Sequence, residues 1–256
     1  MNEEIQSTEL ILLNPFDVTS ADCDINGRLR AGGLVNYFIL SAINSAEKLG
    51  FGYNGLRSRH LFWVLSRMTI EIYKPLKWFD KAIVETWPKD VEGLLYLRDF
   101  IVKDQQDEIV AKCTSGWLAI DIQSKRPRKV EEKFSYIFDR MKNCHALQQL
   151  PDKLGPVTNG NNFNLNTTWF DFDLNKHVTS TRYVDWMFDT LPMDYLINHY
   201  PTNMSINFLK EILPGESIVL TQSSDRENLF LFEGRNPDDG SVKFRGKVTF
   251  SDLGQS

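Results

Sequence analysis

Cysteine is scarce in this chain of 256 residues: Cys23, Cys113 and Cys144 are far apart, odd in number and form no C-x-x-C pair. That count argues against a disulfide framework and fits free thiols in a reducing cytosol. Long apolar runs are missing too. None reaches the roughly 18 residues a membrane span needs. The opening "MNEEIQSTEL" is acidic and lacks the basic-then-apolar order of a signal peptide. A cytoplasmic protein with no membrane span is therefore expected. Basic residues (29) are outnumbered by acidic ones (34), giving a net charge of −5 and no footprint for a nucleic-acid partner.

What is present describes an ordinary globular chain, with 42% hydrophobic and 25% charged residues. Phenylalanine is plentiful at 17, against 6 Trp and 8 Tyr. Such bulk fills a core or lines an apolar tunnel.

The most informative feature is a motif written twice. "ADCDINGRLRAGG" sets Asp22, Asp24 and Asn26 in alternation, and "FDFDLNKHVTS" does the same with Asp171, Asp173 and Asn175. A calcium loop is excluded. Its twelfth position needs a bidentate Glu, and the two copies have Gly33 and Arg182 there. The shift of 149 positions from Asp24 to Asp173 also pairs Arg28 with His177 and Tyr37 with Trp186. Further on the shift becomes 136, pairing Met68 with Met204, Ile70 with Ile206 and Pro75 with Glu211. The 13-residue difference between the shifts fits a longer first helix and loop. Self-similarity at so long a spacing means one structural unit duplicated.

The periodicities agree. Residues 8–18 read as a strand. Leu34, Val35, Phe38, Ile39, Ala42, Ile43, Ala46 and Leu49 then recur at helical steps until Gly50. Strands are predicted over 63–73, 81–87, 94–102 and 109–121. The charged stretch 123–155 reads as a linker with a short helix. The order repeats with a strand over 163–171, a helix from Thr181 to Leu191 capped by Thr179 or Ser180, and strands over 204–212, 217–223, 228–234 and 242–251. Each half is strand, helix, then four strands. The fold expected is α+β, a tandem (double) hotdog in which an antiparallel sheet wraps a helix in each half. The expected units are residues 1–122, a linker 123–155 and residues 156–256.

The halves differ where chemistry would sit. The second has Asp173, Asn175, His177 and Glu211; the first has Arg28 for the His and Pro75 for the Glu. Arginine stays protonated and cannot act as a base. Two carboxylates and a His allow activation of a water, or attack by a carboxylate on an acyl carbon. Asn175 and backbone N–H groups at the helix start can hold a carbonyl oxygen. This is hydrolytic acyl chemistry with no metal and no cofactor. The bland alternative is that Asp173 and Asn175 only form a turn and cap a helix. His60, His145 and His199 have no carboxylate at a telling spacing, and packing or surface roles are expected for them.

Over nearly its whole length the chain resembles the acyl-acyl-carrier-protein thioesterases, double-hotdog enzymes of bacteria and plant plastids. The resemblance rests on "HLFWVLSRMTIEIYKPLKWFDKAIVETW", "RDFIVKD", "SGWLAID", "KRPRKV", the D-x-N-x-H element in "DLNKHVTSTRYVDWMFDTLP", and "INFLKEILPGESI". It implies Asp173, Asn175, His177 and Glu211 as catalytic residues and acyl carrier protein as partner. It also implies release of free fatty acid, which ends chain elongation. The first repeat becomes the acyl-chain pocket, and the chain is a monomer (an intramolecular pseudo-dimer) or a homodimer. Two positions depart from the family pattern. Thr179-Ser180 replace Asn-Asn, and Ile212 stands where some plant members have a Cys after the Glu. Rival readings are an acyl-CoA thioesterase, a hotdog dehydratase or hydratase, and a non-catalytic acyl-CoA sensor.

An acidic carrier meeting a chain of net charge −5 needs local basic surface. Two clusters offer it: Arg57, Arg59, Lys74, Lys77 and Lys81; and Lys125, Arg126, Arg128 and Lys129.

Overall fold

A computed structural model describes residues 7–130 and 134–252. The first six residues of the acidic N-terminus, residues 131–133 of the expected linker and the last four residues lie outside these.

The first half contains β1 (Leu12–Asp17), α1 (Ala31–Lys48), a short α2 (Tyr53–Arg57), β2 (Leu61–Ile72), β3 (Lys81–Glu92), β4 (Leu95–Asp104) and β5 (Ile109–Asp121). After α3 (Ser135–Met141) the order recurs as β6 (Asn161–Asn166), α4 (Ser180–Asp189), α5 (Met193–Asn198), β7 (His199–Phe208), β8 (Ser217–Arg226), β9 (Leu229–Arg235) and β10 (Val242–Asp252). All ten strands form one antiparallel sheet in the order β1-β3-β4-β5-β2-β7-β10-β9-β8-β6. Read from either end, the order names equivalent strands of the two halves. The sheet is thus two five-stranded units joined at β2 and β7, a double hotdog.

The register at that seam carries the duplication. Thr69 pairs with Ser205, Met68 with Ile206 and Ile70 with Met204. Thr69 and Ser205 are equivalent under the 136-residue shift, and their hydroxyls lie 3.1 Å apart. A pseudo-twofold axis therefore passes between them. Alternation along the strand sends Met68, Ile70, Met204 and Ile206 into the main core, which they share with Leu34, Val35 and Phe38 of α1 and Val184 and Met187 of α4.

Helix α1 is shaped by its apolar stripe, with Leu34, Val35, Phe38, Ala42 and Ala46 buried against the sheet. It ends in a glycine cap. Gly50 at φ 80° lets its N–H reach Glu47 O (3.1 Å) while Phe51 N–H reaches Ala46 O (3.1 Å). Near its other end Gly32 lets α1 cross α4, since a Cβ there would stand 2.3 Å from Asp185 Oδ1.

The opposite face of the sheet is crossed by the chain between α3 and β6. Ala146 N–H donates to Asp99 Oδ2 (2.7 Å), Asp152 N–H to Thr69 Oγ1 (3.1 Å) and Leu154 N–H to Asn207 Oδ1 (2.8 Å). Asp152 also accepts from Ser205 Oγ (2.9 Å) and Lys247 Nζ (2.5 Å), so one carboxylate sits over the pseudo-twofold axis.

Three expected strands are corrected: the one over 8–18 opens as a 3-10 turn over Ser7–Leu10 and becomes β1 only at Leu12. The strand over 163–171 stops at Asn166, because Thr168 and Asp171 close a 3-10 turn. The strand over 204–212 is displaced: β7 begins at His199 and ends at Phe208, which leaves Glu211 in a loop. Thr179 takes the extended N-cap conformation at the head of α4 but makes no side-chain cap bond.

Candidate active site

Each copy of D-x-D-x-N folds the same loop, and its two aspartates have separate tasks. The first closes a 3-10 turn. Asp22 Oδ2 accepts from Thr19 N (3.1 Å) and Oγ1 (2.5 Å), as Asp171 Oδ2 does from Thr168 N (2.6 Å) and Oγ1 (2.9 Å). The second gathers the next four residues into a tight turn. Asp24 Oδ1 accepts from Asn26 N (2.8 Å) and Arg28 N (2.9 Å); Asp173 Oδ1 accepts from Asn175 N (2.8 Å) and His177 N (3.2 Å). Both turns need one left-handed residue, supplied by Gly27 at φ 70° and by Lys176 at φ 61°. Each loop is then stitched to the loop after its unit's β2-type strand, by Leu29 N–H to Leu76 O (2.8 Å) and Val178 N–H to Ile212 O (3.0 Å). Those two bonds obey both sequence shifts at once.

The side chains then diverge. In the first copy Arg28 is buried. Its guanidinium donates to Asp24 Oδ2 (2.7 Å), Leu196 O (2.8 Å) and His199 O (3.2 Å) and lies over the Tyr200 ring. Asn26 Nδ2 donates to Ile197 O (3.0 Å). The first loop is therefore sealed against the chain leading into β7.

In the second copy His177 Nε2 stands 3.8 Å from Glu211 Oε2, with side chains 34% and 61% exposed. Asn175 and Asp173 are also exposed, and Asn175 Nδ2 donates to Asp173 Oδ2 at 3.4 Å. Of the four expected site residues, the fold brings His177 and Glu211 together from different elements. Asn175 stands two residues before His177 on the same turn. Asp173 is tied by Oδ1 to the turn, as its counterpart Asp24 is. Buried Asp171 anchors the loop to α4 through Arg182 Nε (2.7 Å). Burial pushes its carboxyl up, but the bonds from Thr168 and Arg182 outweigh this and hold it below the usual range.

One pair was not anticipated. Lys243 of β10 is buried, and its ammonium donates to Glu211 O (3.0 Å) and to both Glu216 oxygens (2.8 Å each). Its own carbonyl accepts from Leu209 N (2.9 Å) and Lys210 N (3.0 Å). Glu216 Oε2 also accepts from Leu213 N (2.9 Å). Partial burial raises the Glu216 carboxyl, and Lys243 with the Leu213 amide brings it below the usual range. This pair therefore holds both ends of the Glu211 loop. Val110 takes the place of Lys243 in the first half, where its carbonyl accepts from Tyr73 N (2.9 Å) and Lys74 N (3.3 Å). The exchange of Val for Lys at equivalent positions was the available signal.

The other candidates fall elsewhere. His199 pairs with Asp252 (2.8 Å) and stacks on Tyr195 at 3.8 Å, and Asp252 is too distant in sequence for spacing to reveal it. His145 and Cys144 are exposed, and Cys113 is buried. In the first basic cluster Lys74 is bound to Asp104 (3.0 Å) and Lys81 to Asp17 (3.0 Å); in the second, Arg128 is bound to Asp121 (3.0 Å). A cavity of about 530 Å³ lined by Pro156, Asn162, Thr221 and Arg235 lies along β6 and β8 and holds no acid–base pair. Among the described residues, no helix is long and apolar enough to cross a membrane.

Comparison with known proteins agrees with the fold. Residues 11–138 match the family model for the acyl-ACP thioesterase N-terminal domain, and residues 155–252 match the model for its C-terminal domain. The chain is similar to oleoyl-acyl carrier protein thioesterase 2 of Arabidopsis thaliana, with 26% identity over 231 residues, 83% of this chain and 63% of that protein. It spans between 50% and 63% of the length of three plant oleoyl-acyl carrier protein thioesterases that it matches. An acyl-ACP thioesterase crystal structure from Bacteroides thetaiotaomicron superposes with a TM-score of 0.89 and 26% identity, covering 96% of this chain and all of that one. The 12:0-ACP thioesterase of Umbellularia californica shares the fold, with a TM-score of 0.82 at 20% identity over 95% of this chain and 98% of that one. Both family models are met in sequence order, one on each hotdog unit, and the chain belongs to the acyl-ACP thioesterase family.

Proposed function

We propose that this chain hydrolyses the thioester of a fatty acyl group held on acyl carrier protein, releasing free fatty acid and so ending elongation. The observation that carries the reading is the His177–Glu211 pair at 3.8 Å, present in one of two otherwise equivalent loops. Family membership supplies the substrate class.

In this reading Glu211 and His177 take a proton from a water, and the oxygen attacks the acyl carbon. Asn175 orients the reacting groups. The C–S bond breaks and the proton returns through His177 to the departing thiolate. Proton transfer by a placed group supplies about 10²–10⁴ in rate. Asp173 positions the loop rather than attacking, because its Oδ1 is engaged by two backbone N–H groups as in the silent copy. Residues 156–256 are then the catalytic repeat, residues 123–155 the linker, and residues 1–122 the repeat that receives the acyl chain. One chain supplies both hotdog units, so the site is complete in a monomer. The three free cysteines support a cytoplasmic setting.

Thiol release tests the function. Acyl-ACP is expected to be cleaved with higher kcat/KM than the matching acyl-CoA, and preference for the CoA ester would replace the carrier. A single turnover in ¹⁸O-water tests the route. Label in the fatty acid and none in the enzyme is expected, and label in Asp173 would restore the covalent route.

A further inference from the structure

The two loops that frame His177 and Glu211 expose a large apolar surface. Trp169 is 85% exposed, Phe170 89%, and Leu174 fully so at 102%; Leu209 and Leu213 on the facing loop are 47% and 42% exposed. The Val178–Ile212 bond holds the loops together, so these side chains form one ledge around the site.

The fold does not require it. The first unit makes the same 3-10 turn with the same capping bonds, using Ser20 and Ala21 where the second has Trp169 and Phe170. An exposed stacked pair does occur in the first unit, Trp78 on Phe79 at 4.3 Å. It lies on the loop beside Arg28, whose site is filled.

Charge points the same way. Lys176 and Lys210 flank the site, both exposed and neither in an ion pair among the described residues, although Lys210 acts at longer range on Asp239. Lys176 also holds a left-handed conformation at φ 61°, which costs a side-chain-bearing residue more than the Gly27 found in the first copy. The acids inside the ring, Asp173 and Glu211, belong to the site itself. Exposed apolar patches ringed by polar groups mark interaction surfaces, and unpaired cations at the rim select a partner of opposite sign.

We propose that the ledge of Trp169, Phe170 and Leu174, with Lys176 and Lys210, is the docking surface for the acidic protein that carries the acyl thioester. The apolar side chains contact the carrier and the lysines meet its acidic groups. This rests on the carrier reading above.

The test moves the first unit's residues into the second, as Trp169→Ser with Phe170→Ala. A second variant removes charge, Lys176→Gly with Lys210→Gln, glycine keeping the left-handed turn as Gly27 does in the first copy. Each is assayed with acyl-ACP and with the same acyl group on a short pantetheine thioester, with thermal melts and gel filtration alongside. For each variant KM for acyl-ACP is expected to rise about tenfold, the effect of losing an interface anchor. The short thioester is expected to keep its kcat/KM within about twofold, the tolerance for a site left intact. Wild type that favours acyl-ACP, with variants that keep the same preference, overturns the docking surface alone. An equal fall on both substrates overturns it too, since the ledge would then serve the acyl site. Conversion of a wild-type dimer to monomer with KM for acyl-ACP unchanged makes the ledge a self-contact. Wild type with no preference for the carrier overturns this proposal together with the carrier reading. If the aromatic variant fails to fold, the charge-removal variant decides by the same criteria.

Discussion

The loops at residues 19–30 and 168–179 are built by the same bonds, yet one is sealed and the other open. In both, the first Asp closes a 3-10 turn and the second gathers the following backbone amides. Four residues after that Asp, Arg28 binds its carboxylate and two carbonyls across the loop and fills its own site, whereas among the described residues the His177 side chain pairs with Glu211. The difference teaches that the repeated aspartates maintain a scaffold, which both copies need. In the mechanism proposed above, function resides in the positions that diverge: Arg28 and His177, Pro75 and Glu211, Val110 and Lys243. Arginine suits the silent copy because its planar fork donates in several directions at once.

The largest expected effect sets Glu211 against its counterpart. Glu211→Gln is expected to lower kcat on acyl-ACP by about 10² or more, the scale of a lost acid–base group. Pro75→Ala is expected to leave kcat within about twofold. Steady-state kinetics on both variants would break the comparison if they behaved alike.

The repeat, and with it most of the fold, was legible because duplicated polar motifs and strand alternation survive in the sequence. The 149- and 136-residue shifts reappear as the Thr69–Ser205 pairing and as the two loop-stitching bonds. Less legible was the start of β7. "HYPTN" is polar and contains Pro201, and the strand accommodates it through a register shift opposite Thr249 and Phe250. Alternation becomes readable only after that bulge, which is why the expected strand ran too late and took in Glu211. The partners of Arg28 and Lys243 were invisible for another reason. They are backbone carbonyls and a carboxylate brought near by the fold, and no local pattern encodes them.

A smaller effect is expected at Lys243. Lys243→Met leaves Glu216 without its cation and frees the carbonyl of Glu211. Because Glu216 is 24% exposed, the loss of stability is expected near 2 kcal/mol, below that of a fully buried pair. A roughly tenfold fall in kcat with KM little changed is expected from the misplaced Glu211, a loss confined to the transition state. Lys243→Arg is expected to recover part of it. An unchanged kcat would separate the pair from the site.

The smallest effect is one of pH. The folded Asp171 carboxyl titrates below its usual range, so its contribution is full above about pH 4 and is lost as pH falls through the folded value. Asp171→Asn is expected to cost about 1–2 kcal/mol at neutral pH, the worth of charge-assisted bonds. Denaturant melts should show the gap to wild type narrowing below about pH 4. A gap constant down to pH 2 would show that the carboxylate charge is not what holds the loop.

The central claim is that two loops of one backbone design divide into a reacting copy and a sealed copy. Its most direct test is kcat for acyl-ACP hydrolysis in His177→Ala beside Arg28→Ala, each first shown to be folded at the assay temperature. The account predicts a fall of about 10² or more for His177→Ala, with KM little changed, and a kcat within about twofold of wild type for Arg28→Ala. Comparable losses in the two variants, or near-normal turnover without His177, would contradict it.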